Sequence, residues 1–355
     1  MSARDDVRQE RLAEPEPGRE PAAPQTAAAP PVERILALQA TAGNQAVQRM
    51  LLQRNGPVTV PGSDRDRYQT SMTDRMLFMF GDHSKTNHQP STGRGNFDVA
   101  YWPVASRLEI TVKCHFNFHA GSAADWPDAE PEDLAWTKAS SDKWKADFMK
   151  VVSDKWSAKH TFHCTREWWE DMSATVKIRF VESPDKPHYN LNVMKIPEGE
   201  TRGSSVTAPS GPGRPGKTKF DSEDLRQHEK RAGRQTPALH EAGHMLGLGD
   251  EYPDDDHPGR AVAHEQLVRN EFGHGVPRTR DGRIMSNGED IEPEHGVTFI
   301  EALRDVTKMP EWSFEARRLT PAPMPDYMDG PLPEPPGGGG PEGPARPEPP
   351  DVAFA

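Results

Sequence analysis

His240 and His244 stand four residues apart in the run His240-Glu241-Ala242-Gly243-His244-Met245-Leu246-Gly247-Leu248-Gly249-Asp250. On a helix that spacing places both imidazoles on one face, where two ring nitrogens can hold one zinc ion. Glu241 lies beside them as a carboxylate able to take a proton from water activated by the metal. Gly247 lets the chain leave the helix sharply, and Asp250 then falls where a third ligand can return to the metal. Glu251 adjoins it and offers a second carboxylate for the same place; register favours Asp250. Three protein ligands leave a fourth position open, which is the pattern of a catalytic zinc site.

Such a site needs a helix to carry it. Thr236 suits the N-cap and Pro237 the first helical position, where a missing N–H costs nothing. Ala238, Leu239, Ala242, Met245 and Leu246 give the helix an apolar body, so it is expected in a core. An unsatisfied buried polar group costs about 1–3 kcal/mol. Two His and a Glu in that setting therefore call for a compensating interaction, and metal coordination is one.

Upstream, Leu108, Ile110, Val112, Cys114, Phe116 and Phe118 alternate with polar residues, which predicts a long half-buried strand. Cys114 falls on its apolar face and reads as a core residue. Trp144, Phe148, Val151, Val152 and Trp156 recur at helical spacing, with Ser141 or Asp142 as the expected cap. Residues 176–180 and 189–193 alternate as two further strands. Residues 201–235, rich in Gly, Pro and Ser and then in charge, read as one long loop before the zinc-site helix. A second loop is expected from Tyr252 to about Gly282, and a last helix over roughly 297–309, with Phe299, Ile300, Leu303 and Val306 on one face.

The extended motif, with Gly247 and Asp250, resembles the metzincin pattern H-E-x-x-H-x-x-G-x-x-H/D of zinc peptidases. Arg283-Ile284-Met285-Ser286-Asn287-Gly288 resembles the Met-turn, which in that family forms an apolar floor beneath the metal. The resemblance covers roughly residues 105–310. It implies an α+β zincin domain with a twisted mixed sheet, a zinc-site helix and a C-terminal helix. It also implies one zinc ion on His240, His244 and Asp250, with Glu241 as general base and with Met285 and Gly247 supporting the site. The implied activity is endopeptidase cleavage of a protein or peptide. Two features depart from the commonest pattern: Asp rather than His at the third ligand, and no Tyr shortly after Met285 to stabilise an oxyanion.

The 355 residues include 36 Pro and 29 Gly, and only 34% are hydrophobic, so the globular part is expected to be shorter than the chain. The expected division is a leader at 1–55, a peptidase domain at 56–320 and a Pro/Gly-rich disordered tail at 321–355. A net charge of −12 argues against nucleic acid or an anionic membrane as the main partner. Residues 1–30 lack the apolar stretch of a secretory signal, which predicts synthesis in the cytoplasm. The two cysteines, Cys114 and Cys164, are too few for a disulfide scaffold and are expected to be reduced. His115, His119, His160 and His163 with Cys164 match no closed metal-site spacing, and Asp254-Asp255-Asp256 lacks the pattern of a calcium loop.

Residues 31–53 carry Val32, Ile35, Leu36, Ala40, Gly43, Val47, Met50 and Leu51 at helical spacing, which predicts a short amphipathic helix for packing or docking, with Gly43-Asn44 as the place for a break. The stretch from Ile35 to Leu51 resembles the "LQxxAGNxAVxxLL" segment of bacterial proteins encoded beside extracellular contractile injection systems. That resemblance implies an effector or toxin cargo, exported by such a particle through its N-terminal segment. A competing expectation is a non-catalytic, zinc-stabilised component of a secretion particle. Glu241 separates the two, since a structural zinc site has no use for a general base.

Overall fold

A computed structural model describes residues 63–211, 213–230, 233–251, 262–277 and 282–323. The leader, the amphipathic segment at 31–53, Tyr252, Asp254–Asp256 and the tail from residue 324 lie outside the described residues. The chain enters through helix α1 (Asp64–Met79), capped by the Ser63 hydroxyl, and strands β1 (Ser84–His88), β2 (Phe97–Trp102) and β3 (Arg107–His119). Helix α2 (Lys138–Trp156) leads to β4 (Thr161–Cys164), β5 (Ser173–Glu182) and β6 (Tyr189–Met194). Four short strands follow: β7 (Ser205–Thr207), β8 (Gly216–Asp221), β9 (His228–Lys230) and β10 (Gly233–Gln235). Helices α3 (Pro237–Met245), α4 (Val262–Phe272) and α5 (Val297–Thr307) and the two-residue strand β11 (Trp312–Ser313) complete an α+β chain.

The main sheet is mixed, in the order β11-β4-β5-β3-β6-β8-β7. Its spine is β3, whose alternate side chains Leu108, Ile110, Val112, Cys114 and Phe116 are buried as the alternation requires. Along one edge β3 pairs with β2 over residues 107–111 and then with β6 over 114–119; on the other it pairs with β5 over 107–114. Strands β3, β5, β6 and β8 run parallel, and β7 closes that end antiparallel to β8. β9 and β10 form a separate hairpin.

Helix α2 covers the sheet with Trp144, Phe148, Val152 and Trp156, all buried. Phe148 meets Phe116, Phe180 and Phe220 at ring-centroid distances of 5.9, 5.7 and 5.5 Å. Each such side chain contributes roughly 1.5–3 kcal/mol by leaving water. α2 begins earlier than its apolar repeat: Thr137 is the N-cap, in a capping box with Ser140, rather than Ser141 or Asp142. Val151 turns outward, 39% exposed. Cys114 and Cys164 are both buried and unbridged.

Two expected loops contain structure. Residues 201–235 hold β7, β8, β9 and β10, because β8 buries Gly216, Thr218 and Phe220 beside β6 despite having few large apolar residues. The stretch after the site contains α4, whose Val268 is buried and whose Leu267 and Phe272 pack on the core. The last helix occupies 297–307, close to expectation, with Phe299, Ile300 and Leu303 buried. No helix among the described residues is long and apolar enough to cross a membrane.

Candidate metal centre

α3 is buried along its length, from Ala238 to Met245. Three contacts fix it. Trp156 Nε1 donates to the Leu239 carbonyl (3.1 Å), tying α3 to α2, and the Ala238 N–H donates to the Asp224 carbonyl (3.1 Å). Gly243 lets Met285 pack directly on the helix backbone: a Cβ there would overlap the Met285 sulfur. Thr236 is the N-cap residue by position, yet its hydroxyl donates to Glu289 (2.6 Å) rather than to the helix, which corrects its expected capping role.

The helix ends where the motif requires. Gly247 has φ +98°, a left-handed conformation that a residue with a side chain resists. Gly95, in the loop before β2, approaches so closely that a Cβ on it would lie 2.6 Å from the Gly247 nitrogen. Asn96 N–H donates to the Met245 carbonyl (3.2 Å), and Thr298 Oγ1 on α5 donates to the Leu246 carbonyl (2.9 Å). These contacts turn the chain back so that Asp250 faces the two imidazoles.

His240, His244 and Asp250 are all buried, and one ligand atom from each lies within 4.8 Å of the others. His240 Nδ1 bonds the Ile284 carbonyl at 2.8 Å and His244 Nδ1 the Leu248 carbonyl at 2.9 Å. A carbonyl only accepts, so Nδ1 is the donor on each ring, and a neutral imidazole then presents a lone pair at Nε2. Those Nε2 atoms lie 3.4 Å (His240) and 3.2 Å (His244) from Asp250 Oδ1. Three acceptors converging in a buried site repel unless a positive charge joins them, either a proton on an imidazole Nε2 or a metal ion. Burial alone lowers the pKa of His244, but the Asp250 carboxylate beside it outweighs that and raises it. Burial likewise opposes the charge on Asp250, yet the two imidazoles hold its carboxyl far below the usual range. The donor set, two nitrogens and one carboxylate oxygen, suits a borderline divalent ion.

Glu241 is buried and stands outside that ligand set, and its Oε2 has no hydrogen-bond partner among the described residues. It lines the same cleft as His240, His244 and Asp250, a space of about 510 Å³ roofed by Ser204, Ser205, Val206, Thr207 and Ala208 on and around β7.

Glu251, the alternative third ligand, points elsewhere. It is fully buried and accepts from Arg283 Nε (2.7 Å), Arg283 Nη2 (3.1 Å) and His295 Nε2 (3.1 Å). Burial works against its charge, but His295 and Arg283 prevail and hold its carboxyl at about 2. Its N–H donates to the Met285 carbonyl (2.8 Å). Glu251 thus ties the turn carrying Asp250 to the segment carrying Met285. Met285 is fully buried, and Gln235 Nε2 donates to the carbonyls on either side of it, Ile284 (3.2 Å) and Ser286 (2.7 Å). Gln235 and His295 escaped the sequence reading, because only the fold brings them to this segment. No other group of three His, Cys, Asp or Glu among the described residues converges in this way.

No family model, curated protein or solved structure matches the chain.

Proposed function

We propose that the protein is a zinc-dependent endopeptidase with a metzincin-like, zincin-type catalytic domain. The observation that carries this reading is the convergence of His240 Nε2, His244 Nε2 and Asp250 Oδ1 next to a buried carboxylate, Glu241, that is not a member of the triad. A bound zinc ion supplies a Lewis acid for the peptide carbonyl and brings the pKa of water from about 15.7 towards roughly 7. Glu241 takes the proton from the attacking water and returns it to the leaving amine nitrogen. Ile284 and Leu248 hold both imidazoles in the tautomer that leaves Nε2 available. Tyr252, the nearest tyrosine after the motif, lies outside the described residues, so no tyrosine is assigned to the oxyanion.

The sheet supports a peptide as the substrate. Among the described residues β7 is the end strand, paired with β8 on one side only, with Ser205 and Thr207 exposed and with residues 204–208 forming part of the cleft wall. An extended peptide adding to that edge lies over α3 with a peptide bond near Glu241. The likeness of residues 35–51 to injection-system proteins supports the further reading of an effector cargo, and deletion of 1–53 should then abolish particle loading while sparing cleavage. The test of the peptidase reading is digestion of a peptide library by the full chain, stripped of metal and then restored with zinc. Cleavage that disappears on stripping and returns with zinc supports it. A zinc-loaded chain that cleaves nothing favours the structural, non-catalytic alternative.

A further inference from the structure

The walls of the cleft carry cations that the chemistry at Glu241 does not use. Arg94 lines the cleft together with His240, Glu241, His244 and Asp250. Arg202 and Lys230 line an adjoining space of about 270 Å³, which shares Ser204, His240 and Glu241 with the first and extends past Pro237, Ser286 and Asn287. The two spaces form one groove, with Arg94 towards one end and Arg202 and Lys230 towards the other. The acidic side chains on its walls are Glu241 and Asp250, both committed to the metal site. In a chain of net charge −12 this is a local reversal of sign.

These cations are not consumed by ion pairs. Among the described residues none of the three side chains has a carboxylate partner; Arg202 Nη1 contacts only the Met194 sulfur, at 2.8 Å. Arg94 is moreover held in place. Its loop is pinned by Ser91 N–H to Glu301 Oε1 (2.9 Å), by Thr92 Oγ1 to the Arg94 backbone, and by the Gly95 and Asn96 contacts to the end of α3. A half-buried guanidinium on a braced loop, left without a carboxylate, is pre-organised to receive one.

We propose that this groove selects acidic peptides, with Arg94 receiving an Asp or Glu side chain on one side of the scissile bond and Arg202 and Lys230 receiving acidic side chains on the other. The proposal rests on the peptidase reading and names its substrate class. A dication on His240, His244 and Asp250 would offset the charges of Asp250 and Glu241, leaving Arg94, Arg202 and Lys230 to set the sign of the field, and a cleft lined by one sign of charge concentrates the opposite sign.

The test separates binding from turnover. Fluorescent peptides, acetylated and amidated and identical except for Glu, Gln or Lys flanking a common central pair, are titrated into the full-length zinc-loaded Glu241→Gln chain by anisotropy. The same peptides are offered to the zinc-loaded wild type for cleavage. The Glu peptide should bind about tenfold tighter than the Gln peptide, with the Lys peptide weakest and the preference shrinking in high salt. Arg94→Ala, and separately Arg202→Ala with Lys230→Ala, should each reduce the preference roughly threefold, with melting temperatures unchanged for the exposed pair. Equal binding of the three peptides, or a preference indifferent to all these substitutions, overturns the proposal. Acid-selective binding with no cleavage sinks the peptidase reading and leaves the groove's selectivity standing; cleavage without charge preference does the reverse.

Discussion

Replacing Glu251 by Gln separates a residue that holds the site in shape from one that holds the metal. Glu251 and Asp250 are neighbours with different duties in the structure: Asp250 Oδ1 faces the two imidazoles, while Glu251 engages Arg283 and His295. Removing one partner of a buried ion pair costs about 3–5 kcal/mol, because the other charge stays buried. Arg283 retains Glu294 at 3.4 Å, and the Gln amide keeps an acceptor oxygen, so the lower end applies, about 3 kcal/mol. For a folded unit of this size that corresponds to a melting temperature lower by roughly 6–12 °C. The assay is thermal and urea unfolding of the metal-free chain at pH 8, followed by zinc titration of the folded protein. Glu251→Gln should show the full loss of stability yet still take up one zinc ion. Asp250→Asn should show the converse, a metal-free stability within about 1 kcal/mol of wild type and no tight zinc binding. If Glu251→Gln unfolds like wild type but fails to bind zinc, the assignment of the two carboxylates is wrong.

Gly243→Ala should destabilise the protein by about 1–3 kcal/mol, since its Cβ meets the Met285 sulfur, and in urea unfolding the pair Gly243→Ala with Met285→Ala should cost less than the sum of the two single losses. Asp224 predicts a pH dependence. Burial first, and Asp221 second, raise its carboxyl to about 8, against about 3.9 in an unfolded chain. Its stabilising contribution is full below pH 4 and declines as pH rises towards 8, by about 1.4 kcal/mol per pH unit. Asp224→Asn should lack that slope, so the difference between the two unfolding curves should grow from pH 4 to 8 and then level; a constant difference refutes the assignment.

The elements nearest the candidate metal site were the most legible. Two His at helical spacing, Gly247 and Asp250 are a local pattern, readable from the sequence, with Gly247 at positive φ as its position demanded, although Gly95, Asn96 and Thr298 brace the turn from far along the chain. The long alternation of β3 and the aromatic repeat of α2 were equally plain. What stayed hidden depends on partners far along the chain. β8 reads as loop because Gly216 and Thr218 are small, and it becomes a strand only through pairing with β6. Within α4, Leu267, Val268 and Phe272 gave too sparse an apolar pattern to be noticed amid charged neighbours. Register favours Asp250 over Glu251 as the ligand, but the partners that hold Glu251 away from the imidazoles, Arg283 and His295, lie 32 and 44 residues further along the chain. Thr236 looked like a cap for the same reason, its competitor Glu289 lying 53 residues on.

The most direct test of a metal-dependent peptidase with Glu241 as its base compares zinc content and peptide cleavage in wild type and Glu241→Gln, prepared side by side. Glu241 stands outside the ligand triad, and among the described residues its Oε2 has no hydrogen-bond partner. The account therefore predicts one zinc ion per chain in both proteins, the same unfolding curve within about 1 kcal/mol, and a cleavage rate lower by at least 100-fold in the variant. Cleavage by Glu241→Gln at a rate near that of the wild type, with zinc bound in both, contradicts it.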